Sequence, residues 1–408
     1  MTMLVKVFQN ARTQTLLGIL TALLFSGFIY FEEYSLTNKF INTLFGLSSL
    51  ALFLYIPKRS IFIAGFLIGL LWFYWIGYSF KYQDVGYMTP IVTLGFGFIY
   101  LLFFAPLAVT NKPYIRAILL FSLSFFEPFD FNWLQIELIF VDSYIGIFKY
   151  QLALVLFALT MPSLLKDKFK YTPLLALLLA INFTTPIKKE MPLKIKLVAT
   201  DIKQEYKWTR EALRPTINLI FKEINNAITQ GYDVVVLPES VFPLYMNRNK
   251  TIQNSLLKLS KDITIIAGAL YREDNLKYNV TYMFQDEKYQ IAKKVTLVPF
   301  GEYIPLPSFA KDFINEIFFS GSSDFIGAKE PTDFIIKGIK FRNAICYEVT
   351  CQEIYEGDVN FIIAMSNNAW FTPSIEPTLQ KLLMKFYARK NHVVIYHSAN
   401  YKGTGIIK

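Results

Sequence analysis

The sequence has few of the residues that hold small proteins together through disulfides or metal ions. Its 408 residues include 2 cysteines and 2 histidines, which leaves little room for a disulfide framework or a structural zinc site. Any cysteine chemistry must therefore come from a single thiol. No pattern in the chain implies a metal ion or an organic cofactor.

Charged residues are also scarce. They make up 18% of the chain, against 53% hydrophobic and 17% aromatic residues, and this composition is too apolar for an ordinary soluble protein. It excludes a disordered chain and a collagen-like chain. A formal net charge of +10 on a soluble domain would suggest nucleic acid binding. Whether that interpretation applies depends on where the charged residues lie along the chain.

The scarcity of charge belongs to the first half of the chain. Residues 1–190 hold 14 basic and 9 acidic residues, whereas residues 191–408 hold 27 and 22. Crossing a hydrocarbon core of about 30 Å takes roughly 20 helical residues, and apolar runs near that length recur before residue 190. We therefore predict a transmembrane helical domain over 1–190, a globular domain over 191–408, and no nucleic acid partner.

Seven apolar runs are candidate spans. They are Thr15–Phe31, Phe40–Ile56, Ser60–Phe80, Pro90–Val109, a run from Tyr114 interrupted by Ser122, Ser124 and Glu127-Pro128, Tyr150–Leu165, and Leu174–Ile187. The first run is long, lacks a small-x-small cleavage site and is followed at once by others, so we do not expect a cleaved signal peptide. The acidic, aromatic stretch Asn132–Phe148 is predicted to be an extracytoplasmic loop near the membrane interface, or else a solvated connector.

Loop charges predict the orientation of these spans, because cytoplasmic loops collect Lys and Arg. One set of alternate loops carries Lys6, Arg12, Lys58, Arg59, Lys112, Arg116, Lys166, Lys168 and Lys170. The opposite loops carry Lys39, Lys81 and Lys149 among acidic residues that include Asp84 and Asp142. The amino terminus is thus predicted to be cytoplasmic, and an odd number of spans places residues 191–408 outside.

From Leu193 onwards, short β-branched runs alternate with amphipathic, charge-rich stretches. The predicted strands are Lys194–Ala199, Tyr232–Leu237, Ile263–Leu270, Tyr278–Phe284, Phe334–Ile336, Lys340–Ile345, Phe361–Met365 and Val393–His397. The predicted helices are Arg210–Gln230, Thr251–Lys261 and Thr378–Asn391. This order indicates a mixed α/β domain whose sheets are covered by helices.

Three motifs place chemically useful side chains where strands end. They read Val-Val-Val-Leu-Pro-Glu-Ser at 234–240, Lys-Lys-Val-Thr-Leu-Val-Pro-Phe-Gly-Glu-Tyr at 293–303, and Arg-Asn-Ala-Ile-Cys-Tyr-Glu at 342–348. Alone, each has a structural explanation: a capping or salt-bridging Glu, a solvated basic pair, and a small buried Cys. Together, Glu239, Lys294 and Cys346 supply the base, the oxyanion-stabilising charge and the nucleophile that covalent acyl transfer needs.

The motifs resemble those of a known superfamily. Leu-Pro-Glu-Ser, Lys-x-x-Leu-Val-Pro-Phe-Gly-Glu and Ile-Cys-Tyr-Glu look like the Glu-Lys-Cys triad motifs of the nitrilase superfamily. The Leu-Val-Pro-Phe-Gly-Glu form behind a multi-span domain resembles its membrane-embedded branch, the apolipoprotein N-acyltransferase family. Asp201–Trp208 is similar to the family's segment after its first nitrilase strand. Ser366–Phe371 is similar to its Ser-Asn-Asp-Ala-Trp-Phe motif, with Asn368 in place of the usual Asp.

The resemblance implies about seven transmembrane helices followed by an α-β-β-α nitrilase-like sandwich, in the inner membrane of a bacterium with the catalytic domain on the periplasmic side. It implies Glu239 as base, Lys294 as oxyanion-stabilising cation and Cys346 as nucleophile. The supporting residues it implies are Tyr347, through its backbone N–H, and Glu302 and Glu348, which would orient Lys294 or assist proton transfer. A structural role for Glu348 stays open. The implied substrate-binding residues are Trp208, Asn367 and Trp370.

The implied reaction has two steps. Cys346 takes an acyl chain from a phospholipid, with phosphatidylethanolamine as the expected donor, and the α-amine of a diacylglyceryl-cysteine lipoprotein then takes it from the thioester. Two other functions stay open on the residues alone, a membrane-tethered amidase of the nitrilase type and a non-catalytic receptor or transport component. A disulfide between Cys346 and Cys351 is the alternative for the two thiols.

The chain departs from the family pattern near its end. Family members usually continue past the strand near Asn400 through another strand and a last membrane span, whereas this sequence stops at Lys408. We expect either a short natural variant or a truncated form. The replacement of Asp by Asn368 puts any charge-dependent role of that position in doubt.

Overall fold

The computed structural model describes residues 10–82, 85–165, 169–183, 187, 189–298, 302 and 325–408. The predictions that concern Lys6, Asp84, Lys166, Lys168 and residues 299–301 and 303 lie outside these residues. The chain divides into two compact units. Met1–Lys81, Gly86–Thr185 and Pro373–Leu382 form the first unit, and Tyr82–Val85, Pro186–Thr372 and Leu383–Lys408 form the second.

The first unit is helical. Its α-helices are α1 Ala11–Glu33, α2 Lys39–Tyr55, α3 Lys58–Phe73, α4 Thr89–Phe104, α5 Pro113–Leu123, α6 Lys149–Thr160 and α7 Ala176–Leu179. With the 3-10 turns that extend α3 and α4, three helices are long and apolar enough to cross a membrane: Ala11–Glu33, Lys58–Tyr82 and Gly86–Val109. Because α2 and α5 are shorter apolar helices, the number of seven spans is not confirmed over the described ranges and stays a prediction.

Aromatic side chains and glycines bring α1, α3 and α4 together. Trp72 of α3 packs its ring 5.7 Å from that of Phe25 in α1, and its Nε1 donates to Oγ of Ser26 at 3.0 Å. A Cβ atom on Gly69 of α3 would lie 2.4 Å from the carbonyl oxygen of Phe96 in α4. Small residues let the backbones of membrane helices approach closely, and dispersion then replaces the hydrophobic effect as the attraction between them.

The stretch Asn132–Phe148 is not the solvated connector that was the alternative for this acidic and aromatic segment. Residues 132–143 are buried within the first unit and include a 3-10 helix over Ile136–Phe140. The carboxylate of Glu137 is 1% exposed and lies 2.7 Å from Nζ of Lys149. This ion pair neutralises the carboxylate, so the alternative of a solvated connector was wrong, whereas an extracytoplasmic position near the membrane interface stays a prediction.

The predicted span Leu174–Ile187 is not confirmed over the residues described and stays a prediction. Only the 3-10 turn Thr172–Leu175 and the four-residue α7 form there. The carbonyl oxygen of Ala180 accepts from the N–H of Gly146 at 2.9 Å, and the N–H of Asn182 donates to Tyr144 at 2.8 Å. These bonds to another segment satisfy backbone groups that a helix would have paired internally.

The second unit is built on two sheets. Its strands are β1 Ile195–Leu197, β2 Val234–Val236, β3 Phe242–Tyr245, β4 Thr264–Glu273, β5 Leu276–Gln285, β6 Lys288–Lys293, β7 Asp333–Ile336, β8 Ile339–Ile345, β9 Phe361–Asn367, β10 Val394–Asn400 and β11 Gly405–Ile407. Its helices are α8 Gln204–Lys207, α9 Arg210–Thr229, α10 Lys250–Leu259 and, beginning in the segment assigned to the first unit, α11 Glu376–Asn391. The eight predicted strands and three predicted helices are confirmed with shifted ends, and β3, β6, β11 and α8 are additional.

Strand order brings several strand ends to one side of each sheet. The first sheet has the order β1-β2-β4-β5-β6, with β3 paired to β4, and β1, β2 and β4 are parallel. The second has the order β11-β10-β9-β8-β7, and β8, β9 and β10 are parallel. In open sheets of parallel strands, the carboxyl ends form the edge at which ligands bind. Here β2 leads to Glu239, β8 leads to Cys346, and β9 ends at Asn367.

The continuous apolar run of β2 follows from burial on both faces. Val234 and Val236 contribute to a core shared with Ile345 and Met365 of the second sheet. Val235 contributes to a separate core with residues of α9 and α10. Helices α9 and α10 therefore pack on one face of the first sheet, and the second sheet packs on its other face. The end of β2, which leads to Glu239, is held from both faces.

Candidate active site

Glu239 is buried just beyond β2, where Pro238 prevents the strand from continuing. Its Oε1 accepts a hydrogen bond from Nδ2 of Asn279 at 2.8 Å, and its Oε2 accepts one from the backbone N–H of Asn367 at 2.8 Å. A Cβ atom on Gly268 of β4 would lie 2.8 Å from Cα of Glu239. The glycine thus lets the sheet approach the backbone of Glu239 closely, and the carboxylate is held by two donors.

Lys294 lies directly after β6 and is 1% exposed. Its Nζ is 2.6 Å from Oε2 of Glu302, which also accepts from the N–H of Val298 at 2.9 Å. Burial lowers the pKa of Lys294, but the charges of Glu302, Glu239, Cys346 and Glu348 outweigh it and raise the pKa above the ordinary value. Lys294 is therefore a fixed cation and does not act as a base near neutral pH.

Cys346 begins a 3-10 helix, Cys346–Thr350, directly after β8 and is partly exposed. Its backbone has a φ of 57°, in the left-handed region that residues other than glycine rarely adopt. Such a conformation is unfavourable by roughly 1–3 kcal/mol and is concentrated at functional sites. Tyr347, the next residue, is buried, and its carbonyl oxygen accepts from the Thr350 hydroxyl at 2.7 Å.

Glu348 holds the turn at Cys346 to the segment that follows Lys294. Its Oε2 accepts from the N–H of Ile345 at 2.7 Å, and its Oε1 accepts from Val295 at 2.5 Å and from Thr296 at 3.1 Å. Burial raises the pKa of Glu348 to about 7, although Lys294 and these N–H groups oppose the shift. The contacts favour the structural role that the sequence left open for Glu348.

The three residues singled out from separate motifs come together in the second unit. Both Glu239 and Cys346 act electrostatically on Lys294, although each of the three follows a different strand. Glu302, one of the three acidic candidates, contacts Lys294 directly. A carboxylate, a thiol and a buried ammonium in one site can perform nucleophilic acyl transfer. The thiol attacks the acyl group, and the carboxylate accepts the proton of the thiol.

The predicted substrate-binding residues lie in different surroundings. Asn367 is buried, and its side-chain amide bonds to Gln204 at 2.8 Å and to Asn400 at 2.7 Å. Trp370 packs edge-on against Tyr82 with ring centroids 5.7 Å apart. Trp208, at the end of α8, leaves 46% of its surface exposed. Trp208 is therefore open to a ligand from outside, Trp370 packs against an aromatic side chain, and Asn367 forms its bonds inside the protein.

Sequence reasoning missed two residues that contact this site. Asn279 of β5 donates its Nδ2 to Oε1 of Glu239 and, at 3.3 Å, to Oε1 of Glu302, and thereby links the two carboxylates. Lys207 of α8 donates its Nζ to the carbonyl oxygen of Glu239 at 3.0 Å. The available signal was a polar Asn inside the apolar strand Tyr278–Phe284, since a buried amide needs partners.

No disulfide joins Cys346 to Cys351. Cys351 is buried, and its Sγ donates to the carbonyl oxygen of Tyr347 at 3.5 Å. The disulfide alternative is therefore wrong. Asn368, which replaces the Asp of the resembled motif, is buried and donates its Nδ2 to the carbonyl oxygen of Lys402 at 3.0 Å.

Comparison with known proteins shows the family to which the chain belongs. The family model described as the apolipoprotein N-acyltransferase integral membrane domain matches residues 12–183, and the one described as carbon-nitrogen hydrolase matches residues 197–403. The apolipoprotein N-acyltransferase of Wolinella succinogenes is 39% identical over 405 residues, with 98% of each chain covered. The proteins of that name from Helicobacter hepaticus and Helicobacter pylori are 38% and 36% identical, covering 91% and 92% of this chain and 94% and 90% of their own. The chain is therefore an integral membrane protein and belongs to the apolipoprotein N-acyltransferase family.

Proposed function

We propose that Cys346 carries an acyl chain, as a thioester, from a phospholipid to the α-amine of a lipoprotein. Membership of the family makes the chain an acyltransferase of lipoprotein biosynthesis. The observation that supports Cys346 as the carrier is its place directly after β8 at a positive φ, in a turn that Glu348 ties to the segment following Lys294. A thiol, a base and a fixed cation are the groups that a covalent route requires.

In the first step, the Cys346 thiol gives its proton to Glu239, and the thiolate attacks the carbonyl carbon of the phospholipid sn-1 ester. An ordinary thiol, with a pKa near 8.5, is mostly protonated at neutral pH, so the attack needs a base. The ammonium of Lys294 stabilises the tetrahedral oxyanion, with help from the backbone N–H of Tyr347. When the C–O bond breaks, the proton on Glu239 passes to the leaving oxygen, and the products are a lysophospholipid and a thioester.

In the second step, the α-amine of a diacylglyceryl-cysteine attacks the thioester and loses a proton to Glu239. The C–S bond breaks, the thiolate of Cys346 regains a proton, and the acyl chain stays on nitrogen as an amide. Phosphatidylethanolamine is the proposed donor. Both substrates are lipids of a bilayer, which agrees with the integral membrane domain of the family. Trp208 and Trp370 supply apolar surface for their chains.

Hydrolysis by a tethered amidase is the competing reaction, and the shared name of the relatives favours transfer. The test is to acylate the purified full-length protein with a phospholipid labelled in its sn-1 chain, and then to add a diacylglyceryl-cysteine peptide. We expect the label on the peptide amine and little as fatty acid. Release of the label as fatty acid at the same rate with and without the peptide would contradict the proposal.

Gly268 provides a test of how Glu239 is positioned. A Cβ atom there would meet the backbone N of Ser240 at 2.5 Å as well as Cα of Glu239, so Gly268→Ala must displace the base. Displacing a reacting group by about 1 Å lowers rates by roughly 10²-fold, and we expect a loss of that order in thioester formation. Gly405→Ala is the matched control, because nothing lies within 4 Å of its added Cβ. Equal rates in the two variants would exclude the proposed packing.

We further propose that residues 1–190 form the membrane domain, with seven spans, and that residues 191–408 form the catalytic domain on the periplasmic side of the inner membrane. The support is the positive charge of alternate loops, nine basic residues against three. Reaction with an outer-leaflet lipoprotein requires this orientation.

The two ends of the helix Gly86–Val109 provide a direct test of orientation. Tyr87 and Lys112 are exposed near its opposite ends, and the loop charges place the first outside and the second in the cytoplasm. In a background without native cysteines, a membrane-impermeant maleimide applied to intact cells should label Tyr87→Cys but not Lys112→Cys, and permeabilised cells should label both. Labelling of Lys112→Cys alone in intact cells would reverse the orientation and remove Cys346 from the periplasm.

A further inference from the structure

The second unit contains another lysine that is as deeply buried as Lys294. Lys207 ends the short helix α8 and is 1% exposed. Unlike Lys294, which meets the carboxylate of Glu302, it donates its Nζ to a carbonyl oxygen, that of Glu239. An ammonium is strongly disfavoured in a buried position, and a methionine of similar length would fill the same space without desolvating a charge. A buried lysine at position 207 is therefore better explained by function than by stability.

Both ends of α8 reach the residue that orients the Glu239 carboxylate. Gln204, at the start of the helix, bonds to the side-chain amide of Asn367 at 2.8 Å, and Nζ of Lys207 lies 3.2 Å from the same amide group. The backbone N–H of Asn367 is the donor to Oε2 of Glu239. Lys207 thus contacts the main chain of the proposed base and also the side chain of the residue that bonds its carboxylate.

The charge of Lys207 also acts on the nucleophile. Burial lowers the pKa of Lys207 to about 8, and the charges of Glu239 and Cys346 oppose that shift. The groups that act on the other buried lysine, Lys294, are Glu302, Glu239, Cys346 and Glu348. The positive charges of the two lysines both favour the thiolate of Cys346.

We propose that Lys207 is a positioning residue for the acyl transfer, because its ammonium fixes Glu239 and Asn367 in place and adds a second positive charge to the site that contains Cys346. This inference rests on the proposed roles of Glu239 and Cys346. It assigns Lys207 no contact with the substrates. Its effect on the thiol is measurable without any substrate.

The test compares Lys207→Met, which removes the charge, with Lys207→Arg, which keeps it, in the full-length protein with Cys351→Ala. The first measurement is the pH dependence of Cys346 alkylation by iodoacetamide, which follows the thiolate fraction. We expect the midpoint to move to higher pH in Lys207→Met and to stay near the parent value in Lys207→Arg. The second measurement is thioester formation from phospholipid, where Lys207→Met should lower kcat by roughly ten- to a hundredfold and change KM little.

Lys261→Met is the control for the loss of a lysine, because Lys261 is 62% exposed and pairs with the exposed Glu287. It should leave both measurements unchanged. Where Lys207→Met does not fold, Lys207→Gln gives the same neutral comparison and keeps an N–H donor. An alkylation midpoint in the neutral variant equal to that of the parent would overturn the proposal, even with reduced activity, because a merely structural lysine would give that result. Absence of any acyl-enzyme in the parent would instead refute the proposed function and leave the alkylation result standing.

Discussion

Replacing Cys346 by alanine will abolish formation of the acyl-enzyme and transfer to the lipoprotein, whereas replacing Cys351 by alanine will leave both near the parent level. The two cysteines differ in their positions in the fold. Cys346 follows β8 at a positive φ, in the turn that Glu348 ties to the segment after Lys294, while Cys351 is buried and its thiol bonds the carbonyl oxygen of Tyr347. Cys346→Ser will be almost inactive, because an alcohol is a far weaker nucleophile with the same base.

The measurement is the transfer of a labelled sn-1 acyl chain, first to the protein and then to a diacylglyceryl-cysteine peptide. Cys351→Ala is the matched control, since it removes the second thiol of the same 3-10 region. Equal losses in the alanine variants of the two cysteines would mean that the pair serves the structure of the turn. Transfer by Cys346→Ala at a measurable fraction of the parent rate would rule out the covalent route.

Replacing Glu239 by glutamine will reduce the rate of thioester formation by at least about 10²-fold, the lower end of what a positioned general base contributes. The carboxylate accepts hydrogen bonds from Asn279 and from the N–H of Asn367, and the amide keeps the volume and one accepting oxygen. It cannot take the proton of the thiol. The remaining rate should rise with pH, because the thiolate fraction then depends on solvent alone.

The same chemical change at Glu287 is the control for Glu239→Gln. Glu287 is 51% exposed and pairs with Lys261 at 3.3 Å, so Glu287→Gln should acylate at the parent rate. Single-turnover acylation, followed across pH in both variants, separates loss of the base from loss of folding. A Glu239→Gln variant that acylates as fast as Glu287→Gln would remove Glu239 from the proposed triad.

The elements that carry the candidate triad could be predicted from sequence because their patterns are local. Val234, Val235 and Val236 form a continuous apolar run that only a strand buried on both faces needs, and Pro238 ends it before Glu239. The run before Cys346 instead mixes apolar residues with Lys340, Arg342 and Asn343, and it ends in the buried Ala344 and Ile345. Local patterns therefore predicted the strands and their polar ends without knowledge of the pairing.

The contacts around the triad could not be predicted in the same way, because they join distant parts of the chain. Glu239 and Asn367 are 128 residues apart, and Lys207 lies 32 residues before Glu239 on a four-residue helix too short for a periodic signal. Such pairs follow from sheet order, which composition does not disclose. The burial of Glu137 depended likewise on a partner, Lys149, that neutralises it.

The most direct test of the covalent route is the mass of the peptide that contains Cys346 after the full-length enzyme has been incubated with a phospholipid of defined acyl chains and no acceptor. We expect a mass increase of one acyl group on Cys346, removed by neutral hydroxylamine and absent from Cys346→Ala. The mass should return to that of the thiol when the diacylglyceryl-cysteine peptide is added. An unmodified Cys346 in a preparation that still N-acylates the peptide would contradict the account, because the chain would then pass from donor to acceptor without a thioester.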